Sequence, residues 1–425
     1  MDLGFIMPTD RIAGLAQDHF DRGHEAIREG RYRDAIEAFT KAIKMRPDVS
    51  AAYRYRAVAF RGLNDRPSAI TDLTEAIKRS PDDAQLWAER ASEYLKQKCY
   101  EQAIADCNEA MRLDPGRGDV YGMRASANGL WGNTSAALSD FEMAFKADPE
   151  HAYEYLIARG RLYMELDDYA SAVRDASAAL AVKDDHVPAY EMRAICRQRL
   201  KQTEEAEADF REILEREPQN FAGLLGLGLT LFEQKKWEEC RVAANAIVAA
   251  NPRFNRGYEL RGMCLENLER YDESIREFTK SVELNPRDDT GYHLRAGVYL
   301  KLGNWKRAVA EHLEGFKRDP DDAQAMNYLA WLWACAPDDG IRDGKRALEF
   351  ATRASEKTDF VDAGCLDTLA AAHAELGDFE KAIAFAEQAV AKAERDEDRE
   401  EFVQRLELFR EGKPHRLKAK KQKDN

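Results

Sequence analysis

Proline recurs along this chain with a fixed period, and that period limits what the chain can fold into more than any other feature. Pro47, Pro81, Pro115 and Pro149 are each 34 residues apart, as are Pro218, Pro252, Pro286 and Pro320. Pro149 and Pro218 are separated by 69 residues, two periods plus one, and the missing proline would fall near Lys183-Asp184-Asp185, where a polar turn remains. Proline cannot donate to a helical ladder and disfavours helix in the residue before it, so each one marks a helix end. Self-similarity at such a period is the mark of stacked supersecondary units.

With each proline at position 32 of a 34-residue unit, the repeats open at Ala16, Ser50, Ala84, Gly118, Tyr153, Val187, Phe221, Asn255 and Asp289. Other positions then fall into columns. Position 8 is always small (Gly23, Ala57, Ala91, Ala125, Gly160, Ala194, Gly228, Gly262, Ala296), and position 20 is Ala except for Cys240 and Ser274. Position 17 is often aromatic, as in Tyr32, Tyr100, Tyr169, Trp237, Tyr271 and Trp305. Between the columns the apolar spacing is that of two amphipathic helices. Short polar turns such as Leu302-Gly303-Asn304 separate them. Each unit is predicted to be a helical hairpin.

Small residues at 8 and 20, an aromatic at 17 and proline at 32 in this frame resemble the tetratricopeptide repeat. The resemblance implies an all-α, right-handed superhelical solenoid of antiparallel helix pairs, because such units bury their apolar faces only by stacking. Nine regular repeats span residues 16–322. Two less regular ones follow over 323–396, the first carrying an inserted loop around Pro337-Asp338-Asp339-Gly340. Asn327 onward resembles the C-terminal repeats of large bacterial proteins, in which Leu366-Asp367-Thr368-Leu369-Ala370 recurs. Residues 397–411, with Phe402, Leu406 and Phe409 on one face, are expected to form a capping helix. Residues 1–15 are expected to be a flexible segment and 412–425 a disordered basic tail.

Composition narrows the function. There are 64 basic and 78 acidic residues, a formal charge of -14, which disfavours binding to phosphate backbones. The six basic residues between Lys413 and Lys423 leave only a minor nucleic-acid reading for the tail. No apolar run approaches the roughly 18 residues that mark a membrane span, and the opening lacks a secretory pattern. The seven cysteines form no C-x-x-C pair. A cytoplasmic chain with reduced thiols is expected. Phosphate-loop, zinc-protease, nucleophile-elbow and dinucleotide motifs are absent from the sequence. The expectation is a non-catalytic scaffold for a protein or peptide partner, without cofactor or metal, and the alternative is a self-associating protomer.

In the family the chain resembles, positions 2, 5, 9 and 12 of the first helix line the inner groove. Position 9 reads Ile195, Leu229 and Met263 in repeats six to eight, and repeat seven adds Ala222, Leu225 and Phe232. Glu191, Arg256, Glu259 and Glu266 are expected to rim this apolar patch. A second candidate surface comprises His293, Asn327, Tyr328, Trp331 and the loop from Cys335 to Arg342. The Lys and Asn with which some members of the family clamp a carboxylate tail are missing from positions 5 and 9.

One column departs from the family, which usually has Leu at position 7. Here it is Arg22, Arg56, Arg90, Arg124, Arg159, Arg193, Arg261 and Arg295, with Leu227 the exception. Sixteen residues later stand Asp72, Asp106, Asp140, Asp175, Asp209, Glu277 and Glu311, but Ala243 in the repeat with Leu227 and Ala38 opposite Arg22. Charge appears and disappears together, so an ion pair between the two helices of each hairpin is expected. Arg124→Leu should destabilise by about 2–4 kcal/mol, because it strands the Asp140 charge, and Arg124→Leu with Asp140→Ala should cost less. Thermal unfolding of the double-mutant cycle checks this, additive losses being the contrary result.

Overall fold

The computed structural model describes residues 9–418, with side chains from residue 13 onward. Among these residues are 23 α-helices, one 3₁₀ turn at Pro149–His151 and no strand. Helices alternate in pairs such as Ser50–Gly62 with Arg66–Arg79, Ala84–Lys96 with Tyr100–Leu113, and Phe221–Glu233 with Trp237–Ala250. First helices open at Ser50, Ala84, Gly118, Val187, Phe221 and Asn255, where the proline frame opens its repeats. None of the described helices is long and apolar enough to cross a membrane. The chain divides into two compact units between Arg216 and Glu217. Within each unit every hairpin packs on the next.

The small columns are where paired helices meet. A Cβ on Gly262 would lie 2.5 Å from the Phe278 ring, and one on Gly23 would lie 2.6 Å from Phe39. Both phenylalanines are fully buried. Overpacking such a crossing would force ring or backbone to move.

The turn inside each hairpin has a fixed geometry. The residue at position 15 is left-handed in every regular repeat: Gly30, Asn64, Lys98, Gly132, Asp167, Lys201, Lys235, Glu269 and Gly303 all have positive φ. The next amide donates back to the first helix, as in Asp65 N to Phe60 O at 2.9 Å and Lys236 N to Leu231 O at 2.9 Å. This closes the helix end and fixes the entry of its partner.

The arginine column pairs as its spacing predicts. Arg56 meets Asp72 at 2.7 Å, Arg90 meets Asp106 at 2.7 Å and Arg124 meets Asp140 at 2.5 Å. Arg159 meets Asp175 at 2.7 Å, Arg193 meets Asp209 at 2.7 Å, and Arg261–Glu277 and Arg295–Glu311 both close to 2.6 Å. All five aspartates accept from Nε and Nη2 together in a two-pronged clasp, and Arg193 adds a second Nε contact to its own. The two longer glutamates take Nη2 alone and leave the buried Nε of Arg261 and Arg295 without an acceptor. Arg22 is exposed.

A third arm of most of these arginines reaches the preceding repeat. Nη1 donates to Thr40 from Arg56 at 3.0 Å, to Thr74 from Arg90 at 3.0 Å, to Asn108 from Arg124 at 2.6 Å and to Thr279 from Arg295 at 2.9 Å. These acceptors all occupy position 25. The guanidinium thus joins three helices, and its five donors in a planar fork suit it to that task.

Both ends correct the sequence expectation. The first helix is Thr9–Arg28, so residues 9–15 are helical. Residues 1–8 lie outside the described residues, as do 419–425. The cap is the helix Asp396–Arg410, whose buried Arg405 pairs with buried Asp367 at 2.9 Å. Residues 412–418 are not loose but fold back on the last repeats. Leu417 N donates to Cys335 O at 2.8 Å, Arg416 meets Glu375 at 2.5 Å, and the His415 ring lies 5.5 Å from Trp331. Backbone and ring contacts of this kind have no periodic signature, which is why the basic composition alone misled.

Docking of this segment should depend on pH. Burial, aided by Arg405 and Arg416, pushes His415 down to about 4. A histidine held below its unfolded value near 6.5 gives stability that is complete above that value and lost as pH falls towards 4. Asp367, pushed up to about 6 by burial, acts in the opposite sense. Hydrogen-exchange protection of the Leu417 amide, corrected for intrinsic rate, should fall roughly tenfold from pH 7 to 5. In His415→Phe it should be flat, and an equal fall in that variant would contradict the assignment.

Candidate functional site

The helix Phe221–Glu233 is apolar on two faces. Gly223, Leu224, Leu227, Gly228 and Leu231 are buried against its neighbours, whereas Ala222 and Leu229 are exposed and Leu225 and Phe232 half-buried. The first charged residue of the helix is Glu233, its last. A helix apolar all round is ordinarily enclosed. Here Leu229 is 49% exposed while Leu227, two residues away, is 7% exposed.

The next first helix, Asn255–Asn267, packs beside it and carries Met263, half-buried, at the corresponding register position. Phe232 is partly anchored by an edge-on contact with Trp237 at 5.0 Å. Of the expected rim, Arg256 is exposed and Glu266 pairs with Lys301 at 2.8 Å. Glu259 is not a rim residue: it is buried and accepts from Ser281 at 2.7 Å and Asn255 at 3.0 Å. Ile195, at the same register position in the first unit, is 41% exposed.

The second expected surface is largely occupied by the chain itself. The Trp331 ring lies 5.5 Å from the His415 ring and 5.2 Å from the Arg405 guanidinium. The inserted loop is tied down by Arg342, which donates to Ala336 O at 2.7 Å and meets Glu375 at 3.2 Å. Asn327 is half-buried, and only Tyr328 of the aromatic pair stays exposed.

His293 is turned inward. Its Nδ1 lies 2.8 Å from Nδ1 of His312, and its Nε2 is buried, without a hydrogen-bond partner, 3.8 Å from Asp289 Oδ2. Ligand atoms of Asp289, His293 and Asp322 all lie within 4.8 Å of one another. His312 is buried, and desolvation pushes it down to about 4.

The first unit holds a concavity that the column reading missed, of about 240 Å³ and lined by Ser126, Gly129, Leu130, Arg161 and Glu165 among others. Its lining mixes small residues (Ala125, Gly129, Ala158) with Phe141 and Leu162, which the columns assign to packing. The cysteines are buried except Cys99, which is half-buried. Burial pushes the thiol of Cys107 up to about 12 and that of Cys196 up to about 11, away from reactive thiolate.

Comparison with known proteins agrees with the repeat columns. Models of the tetratricopeptide repeat match residues 20–65, 56–117 and 157–221, then 198–264, 256–288 and 366–400, together more than half of the chain. No curated protein matches it. Among solved structures, yeast Tom70 is 14% identical over 94% of this chain and 96% of its own, with a TM-score of 0.45. A tetratricopeptide repeat protein from Parabacteroides merdae is 21% identical over 59% of this chain and 98% of its own, with a TM-score of 0.41. YrrB, described as having an unusual peptide-binding site, is 19% identical over 44% and 96%, with a TM-score of 0.39. The assignment rests on the repeat models and the chain's own columns: this protein belongs to the tetratricopeptide repeat family.

Proposed function

We propose that the protein is a non-catalytic, cytoplasmic scaffold that binds a peptide or partner helix on the inner apolar face of its first helices. Proteins of this family mediate protein–protein interactions. The observation that carries the finer reading is the exposed face of Phe221–Glu233, where Ala222, Leu225, Leu229 and Phe232 stand at the spacing of one helical stripe. An amphipathic partner helix or extended peptide buries such a stripe through its own anchor residues. Exposed apolar surface clustered on one element is what interaction sites present.

The basic tail supports the nucleic-acid alternative less than its composition does. Arg416 is engaged with Glu375, and Lys413 pairs with Glu411 at 2.9 Å. Self-association through the Leu229 face is the competing use of the same residues, and mass separates the two.

Leu229→Glu and Met263→Glu together should abolish capture of the native partners while leaving the circular dichroism and the mass by light scattering unchanged. Retained capture would contradict the placement. A wild-type mass that rises with concentration and falls to the monomer in the variant would assign the face to self-association instead.

A further inference from the structure

Position 24 of the second helix is a core position. It reads Phe39, Leu73, Cys107, Phe141, Ala176, Phe210, Ala244 and Phe278 through the first eight repeats, and His312 in the ninth. His312 is 4% exposed, so the repeat encloses an imidazole where packing asks only for an apolar group. Its ring stacks on Tyr328 at 5.7 Å, and its Nδ1 meets Nδ1 of His293.

Two imidazole nitrogens 2.8 Å apart share one proton. If His293 donates it, the Nε2 of His293 is a bare lone pair. That nitrogen is buried and faces Asp289, the residue before its own helix Thr290–Lys301, and Asp322, which caps the helix Ala323–Cys335. A lone pair aimed at two carboxylates is repelled unless a cation lies between them. Each carboxylate keeps an oxygen for such a cation. Asp322 Oδ1 caps Gln324 N at 2.8 Å, and Asp289 Oδ1 accepts from Thr290 at 3.5 Å, so the second oxygen of each is uncommitted.

We propose that Asp289, His293 and Asp322 form a binding site for one divalent transition-metal ion, with His312 holding His293 in the ligating tautomer. One imidazole and two carboxylates suit zinc, cobalt or manganese better than magnesium or calcium, which take oxygen sets. A ligating histidine whose other nitrogen is fixed by a buried partner is the usual arrangement at protein metal sites. Bond lengths near ~2.1 Å require the cluster to close slightly around the ion. Three protein ligands leave coordination positions for water or for a carboxylate of a bound partner.

The test is titration of the full-length protein with Co²⁺ alone at pH 7.5, read by visible absorption and calorimetry. One ion should bind at micromolar concentration, without the sulfur-to-metal band of a cysteine site and undisturbed by excess Mg²⁺. Affinity should fall at least roughly tenfold in Asp289→Asn, in Asp322→Asn and in His312→Phe. Asparagine keeps the cap to Gln324, and phenylalanine is the residue this column holds in four other repeats, so these variants retain the fold. It should also fall from pH 7.5 to 5.5 as protons compete for His293, which faces Asp289, Asp322 and His312. No uptake below millimolar Co²⁺, or uptake unchanged in the three variants, overturns the proposal.

Discussion

Two helices can cross closely only where both carry small side chains, and the rest of this structure depends on that crossing. Glycine or alanine at position 8 and a small residue at position 20 let each hairpin close. Where position 8 is glycine, a larger side chain takes the space: Phe39 against Gly23, Phe278 against Gly262, Met192 against Gly160 and Leu260 against Gly228. A hairpin closed this way still has apolar faces that it cannot bury by itself, so stability comes from neighbours as much as from the unit.

Apolar stacking alone does not fix which way one hairpin meets the next. The arginine column supplies direction, because a planar fork clasping position 23 and reaching position 25 of the previous repeat is satisfied in one arrangement. Burial pushes the Asp106 carboxyl up in spite of Arg90, so desolvation takes back much of what the pair provides. We therefore assign the ladder a role in specifying packing more than in adding stability. Where it lapses, at Leu227 and Ala243, position 25 of the preceding repeat is Arg211 rather than a neutral acceptor, and all three positions change together. The same helix that gives up the arginine presents the exposed apolar face.

The period, the small columns and the Arg–carboxylate pairing were legible because each recurs and each follows from side-chain size or charge. The left-handed position 15 was not. Lys98, Lys201, Lys235 and Glu269 adopt it because the hairpin closes there, and their side chains have no preference that would reveal it. Position 25 was passed over because Thr, Asn and Ser read as surface until the third arm of the arginine is seen. The docked segment at His415 and the inward turn of His293 are single events in a repetitive chain, and a reading built on columns gives no weight to what occurs once. The exposed Leu229 face, by contrast, was visible as an apolar entry in a column that the core does not use.

We propose that the exposed Leu229 column serves a partner and not the fold. It is tested most directly by comparing chemical unfolding of Leu227→Ala and Leu229→Ala, two identical truncations two residues apart on one helix. Leu227→Ala should cost about 2–5 kcal/mol, the usual range for a buried leucine. Leu229→Ala should stay within about 0.5 kcal/mol of wild type, as surface substitutions do. Equal losses in the two variants would mean that Leu229 is held by the protein's own packing, and would contradict the account.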